Sequence, residues 1–145
     1  MRRLIHFIII ISLCFAAFDA SAQTRRSASE EEKCAAMSFA DATSHNFGDV
    51  ERRGGDLIKV FRFVNGGEAP LVIKKVVKSC SCMTVDFSRK PLKPGESGEI
   101  RIKYEPHKVE AGSFNKVVQI YTNTPDEVHL ITIQGNSVEK KHQRK

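Results

Sequence analysis

From residue 34 to about residue 137, Gly, Pro, Asn and Asp cut the chain into short apolar runs roughly every ten residues. Few windows between these breaks are long enough for a ten-residue helix. A chain with this cadence buries its apolar atoms by one route: short strands whose alternate residues share a core, joined by tight turns. Residues 97–104 alternate most cleanly, with Ile100, Ile102 and Tyr104 predicted inward and Glu99, Arg101 and Lys103 outward. Residues 57–65 put Phe61 and Phe63 on one face and Val60, Arg62 and Val64 on the other. Further strands are predicted at 37–41 continuing into 47–50, at 69–77, 83–87, 114–123 and 128–134. The last two carry apolar residues on both faces, so alternation does not choose their inward set. Asn65, Gly66 and Gly67 form a turn signal, because Asn and Gly tolerate positive φ cheaply. Lys93, Pro94, Gly95 and Glu96 place proline and glycine where a type II turn wants them. About seven strands over roughly 100 residues predict an all-β, immunoglobulin-like sandwich.

The N-terminus has a different texture. Arg2 and Arg3 precede an apolar stretch at 4–18, and Ala20, Ser21 and Ala22 supply the small residues read by signal peptidase. The stretch is short of the roughly 20 residues a membrane-spanning helix needs, which favours a cleaved signal over an anchor. Lipidation at Cys14 is disfavoured by Leu13 before it. The expected organisation is a signal peptide at 1–22, a polar linker at 23–35, a sandwich domain at 36–137 and a basic tail at 138–145. Export places the mature chain in the periplasm or outside the cell, with no integral membrane segment after cleavage.

The 23 basic and 17 acidic residues give a net charge of +6. Part of the excess is Lys140, Lys141, Arg144 and Lys145 at the end of the chain. Such a tail can attract acidic surfaces, but a solvated end is the simpler reading. A nucleic-acid partner is not expected: there is no glycine-rich phosphate loop and no basic helix with interleaved aromatics. Ser97 and Ser113 are turn serines without the strained elbow of a nucleophile, and the carboxylates are scattered. The chain reads as a non-enzyme whose partner is a protein or an envelope component.

Several separated motifs together resemble a bacterial family, domain of unknown function 1573, related to the Hydin and major sperm protein domains. They are His45-Asn46-Phe47-Gly48-Asp49-Val50, Phe61-Arg62-Phe63-Val64-Asn65-Gly66, Pro70-Leu71-Val72-Ile73, Ser79-Cys80-Ser81-Cys82, Pro94-Gly95-Glu96-Ser97-Gly98-Glu99-Ile100, Gly112-Ser113-Phe114, Tyr121-Thr122-Asn123 and Ile133-Gln134-Gly135. The resemblance covers roughly residues 36–137. It implies an exported immunoglobulin-like sandwich and supplies no reaction. The family pattern has Gly between the paired cysteines where this chain has Ser81.

Chemistry concentrates in the cysteines. After signal cleavage Cys34, Cys80 and Cys82 remain, an odd number for an exported chain. A structural bridge would join Cys34 to Cys80 or Cys82, closing a loop worth roughly 4 kcal/mol on the chain-entropy model. A Cys80–Cys82 bridge is the alternative, in a small ring that strain makes easier to reduce. As thiolates, Cys80 and Cys82 would instead clamp copper or zinc. A zinc site would then draw further ligands from Cys34, Met83, His45, His107 or His129. As a dithiol, the pair would exchange disulfides, with Lys74, Lys75 and Lys78 lowering a thiol pKa if close. The residues leave these three roles open, with the structural one favoured.

Overall fold

The computed structural model describes residues 33–139. The expected signal peptide, most of the linker and nearly all of the basic tail lie outside the described residues. Eight strands form two four-stranded sheets. Sheet A holds β1 (Met37–Phe39), β3 (Leu57–Asn65), β6 (Ser97–Tyr104) and β5 (Met83–Phe87), in the order β1-β3-β6-β5. Sheet B holds β2 (Ser44–Glu51), β8 (Val128–Val138), β7 (Gly112–Thr122) and β4 (Ile73–Lys78), in the order β2-β8-β7-β4. A short 3-10 turn, Pro106–Lys108, links β6 to β7. The expected all-β immunoglobulin-like sandwich is what the chain forms.

The core follows the alternation. Phe61, Phe63, Ile100, Ile102 and Tyr104 from sheet A meet Phe114, Val118, Ile120, Ile131 and Ile133 from sheet B, all buried. The long strands β7 and β8, ambiguous in sequence, are resolved by their pairing. Val118 lies opposite Ile131, and both point inward. Burying a Phe or Ile side chain is worth about 1.5–3 kcal/mol, so strands with apolar residues on both faces turn the bulkier set in.

Two expectations are corrected. The single strand predicted at 37–41 and 47–50 is two strands in different sheets. The Ala40 N–H still donates to Arg62 in sheet A, whereas the Thr43 carbonyl accepts from Thr132 in sheet B. The chain crosses between sheets at residues 41–42, and β2 then runs parallel to β8. This is why eight strands form where seven were expected. The run at 69–77 begins its ladder only at Ile73, after an isolated bridge between Leu71 and Leu92.

The two turn signals hold by different means. At Lys93–Glu96, the Glu96 N–H donates to the Lys93 carbonyl and Gly95 has φ of 78°, as the type II reading requires. At Asn65 no positive φ is used. Its side chain is fully buried, donating to the Ala69 and Leu92 carbonyls at 2.8 and 2.9 Å and accepting from the Gly67 and Ala36 N–H groups. Gly67 is needed for space: a Cβ there would collide with the Cys34 carbonyl oxygen. Ala35 is buried, and the Cys34 carbonyl accepts from Glu68 and Ala69, so residues counted as linker already pack on the fold.

Candidate functional site

The cysteine pair caps one end of the sandwich, where β4 of sheet B hands over to β5 of sheet A. The Sγ atoms of Cys80 and Cys82 lie at disulfide distance, with their Cα atoms 5.1 Å apart. The corner is a tight turn in which the Met83 N–H donates to the Cys80 carbonyl and the Cys82 N–H to Cys80 Sγ at 3.1 Å. The sulfurs differ in setting: Cys82 is 1% exposed, whereas Cys80 is only partly covered and Ser81 is exposed. Lys78 Nζ donates to the Met83 carbonyl at 2.5 Å, and the Glu105 N–H donates to the Cys82 carbonyl. These bonds tie both ends of the turn to the sheets. The Glu105 carboxyl is held below its ordinary range by the Lys108 hydrogen bond, against a smaller opposing effect of burial.

The other sequence-level candidates do not join this corner. Cys34 is exposed and packs beside Gly67, at the end of sheet A where Val64 pairs with Ser97. The cysteine corner sits at the opposite end, where Met83 pairs with Tyr104. Seven strand steps of about 3.3 Å separate the two ends, roughly 23 Å. Bridged Cα atoms lie within about 7 Å, so of the two structural pairings the fold brings together Cys80 and Cys82 and leaves Cys34 out of reach. Of the lysines, Lys78 alone bonds at the turn; Lys75 lies over the Tyr121 ring, 5.6 Å from its centroid. Met83 is fully buried core.

The histidines are also dispersed. His45 stands edge-on to Phe47 in β2, His107 lies in the 3-10 turn, and His129 bonds Thr124 at 3.0 Å. Among the described residues, no three His, Cys, Asp or Glu side chains converge to hold a metal. The copper or zinc site therefore finds no third ligand from those groups at Cys80 and Cys82.

A second feature was missed in the sequence. The outward face of β7 and β8 is uncharged, although 28% of the chain is charged. Alternate positions from 113 to 121 and from 128 to 136 are Ser, Asn, Val, Gln and Tyr, then Val, Leu, Thr, Gln and Asn. Leu130 is 53% and Val128 37% exposed. At the other end of the face lies a recess of about 420 Å³ lined by amides. The outward face of sheet A, by contrast, carries Arg62, Glu99, Arg101 and Lys103. In the sequence these strands carry apolar residues on both faces, so alternation left their outward set unassigned.

The two-sheet arrangement with this strand order defines an immunoglobulin-like sandwich domain. The chain belongs to the family described as protein of unknown function (DUF1573), whose sequence profile matches residues 37–137. A solved protein of unknown function from Porphyromonas gingivalis W83 is similar at 22% identity and TM-score 0.63, over 72% of this chain and 47% of that one. The ASH/PapD-like domain 7 of human CEP192 aligns at 10% identity and TM-score 0.60, over 84% of this chain and 99% of that domain. The Vibrio cholerae protease VesB aligns at 14% identity and TM-score 0.55, over 71% of this chain and 32% of its own. This chain thus spans less than half of the Porphyromonas and Vibrio proteins. No curated protein sequence matches the chain. Among the described residues no helix is long and apolar enough to cross a membrane.

Proposed function

We propose that this protein is an exported, non-enzymatic immunoglobulin-like domain that binds a component of the cell envelope through the outward face of sheet B. The observation that carries this reading is that the two central strands of that face, β7 and β8, present no charged side chain outward on a strongly basic chain, the charges of Lys75 and Asp49 lying at its flanks. Depletion of charge is what distinguishes the centre of an interface from ordinary surface. The signal-like N-terminus supports the compartment, and the rigid paired strands beneath the face support its role as a platform.

The test is a photo-crosslinking residue placed at Leu130, with Arg62 on the opposite sheet as control, in cells producing the full chain. The expected result is a defined adduct with an envelope component at position 130 only, and an exported protein whose mass begins at Gln23. Equal labelling at both positions, or a specific hydrolytic or acyl-transfer activity of the purified protein, overturns the reading.

A second reading is favoured by one observation: Cys80, the less buried cysteine of the pair, already receives the Cys82 N–H on its Sγ, which would stabilise a thiolate there after reduction. On this reading the pair exchanges disulfides, or in reduced form carries copper or zinc. Intact mass, thiol count and bound metal of the exported protein separate the three states. Metal lost in Cys80→Ser and Cys82→Ser would favour the carrier.

A further inference from the structure

The amide end of the sheet B face is built in rows. Asn46 of β2 sits opposite Gln134 of β8, which sits opposite Asn115 of β7. One step along, Asp49 sits opposite Asn136, which sits opposite Ser113. With strands about 4.8 Å apart, each row is roughly 10 Å wide. A bulge between Asn46 and Asp49 breaks the β2 ladder at this point, and these six side chains line the 420 Å³ recess.

Two internal hydrogen bonds set what the rows offer. Asn46 Oδ1 accepts from the Gly48 N–H at 2.8 Å, which leaves its NH2 group as a donor. Asn136 Nδ2 donates to Asp49 Oδ1 at 2.9 Å, which leaves the Asn136 carbonyl and the second Asp49 oxygen as acceptors. Gln134, Asn115 and Ser113 can each both donate and accept.

This inventory selects a ligand class. No Lys or Arg lines the recess, so an anionic ligand finds no countercharge there. A calcium ion takes six to eight oxygens, several of them carboxylates; the recess has one carboxylate, already accepting from Asn136. An apolar ligand would bury the amides without partners, which is costly. A neutral polyhydroxylated ligand meets every group, because each of its hydroxyls donates and accepts as a side-chain amide does. A recess this wide accommodates about two sugar rings.

We propose that the recess binds a neutral saccharide, with Gln134 and Asn115 as its central hydrogen-bonding pair and Asn46, Asp49, Asn136 and Ser113 around them. The proposal rests on the reading of this face as a binding surface and names its ligand class. The test is an NMR titration of the exported protein with neutral oligosaccharides of glucose, mannose and N-acetylglucosamine, and with anionic galacturonate oligomers for contrast. At least one neutral oligosaccharide should shift the side-chain amide signals of Asn115 and Gln134 and saturate in the millimolar range. Asn115→Ala or Gln134→Ala should each weaken that binding about tenfold, the loss of one or two neutral hydrogen bonds. Gln134→Glu, which keeps the size and loses the NH2 group, should weaken it too, whereas Arg62→Ala should not. Three results overturn the proposal: no shift with any neutral oligosaccharide, shifts that persist unchanged in the variants, or preference for the anionic oligomers. If any of these occurs while crosslinking at Leu130 still captures an envelope component, the binding reading survives without the saccharide. If crosslinking fails as well, both fall.

Discussion

Asn65 is the residue whose role changed most between sequence and structure. Beside two glycines it reads as a turn former, yet it works as a buried polar hub joining the start of β1, the loop before β4 and the Leu92 segment. Asn65→Ala would leave two carbonyls and two N–H groups without this partner. The expected loss is about 3 kcal/mol or more, read as a lower urea midpoint with the slope unchanged. The cysteines differ in the same way. Both Cys80→Ser and Cys82→Ser break the bridge, but only the second puts a hydroxyl where 1% of the residue is exposed. Cys82→Ser should therefore be the more destabilising by about 1–3 kcal/mol, measured by the same denaturation.

At the scale of elements, the decisive event is the crossing between β1 and β2. One apolar pattern serves two sheets because residues 41–42 turn the chain out of the Phe63 pairing and into the parallel pairing with β8. Alternation is silent on such a crossing, since the period of two is the same on both sides. The β4–β5 corner crosses the same gap with a covalent tie. A bridge spanning three residues removes little unfolded-state entropy, about 1.6 kcal/mol on the chain-entropy model against roughly 4 for a Cys34 bridge. Reduction should therefore leave the domain folded, with an unchanged far-ultraviolet spectrum and a stability loss of no more than about 2 kcal/mol. Unfolding on reduction would show that the corner holds the sheets together in a way its short loop does not explain.

At the scale of the molecule, the two half-buried histidines set a pH response. His129, facing Phe39 and bonded to Thr124, and His45, beside Phe47, are both held below the ordinary value of 6.5, chiefly by burial. The neighbouring Lys59 charge adds to the effect at His45, while Asp126 opposes it at His129. As pH falls through 6.5 the unfolded chain takes up these protons before the folded one does. Stability is therefore full above about pH 6.5 and declines as pH drops toward the lower folded values. The thermal midpoint should fall between pH 7.5 and 5, and a His45→Asn, His129→Asn double variant should flatten the slope. A midpoint that rises over that window would contradict the burial of both rings.

The sequence by itself determined the class of fold, the inward set of β3 and β6, and the type II turn at Gly95, because these depend on local period and local backbone preference. It also singled out the cysteine pair, through spacing alone. Only the tertiary structure decided which cysteines meet, since Cys34 and Cys82 are separated by the length of β6 rather than by anything local. The rows of amides were likewise fixed by register: Asn46, Gln134 and Asn115 are far apart in sequence and become neighbours only when β2, β8 and β7 pair. Hydrogen bonding between strands creates that proximity, and no property of any one strand contains it.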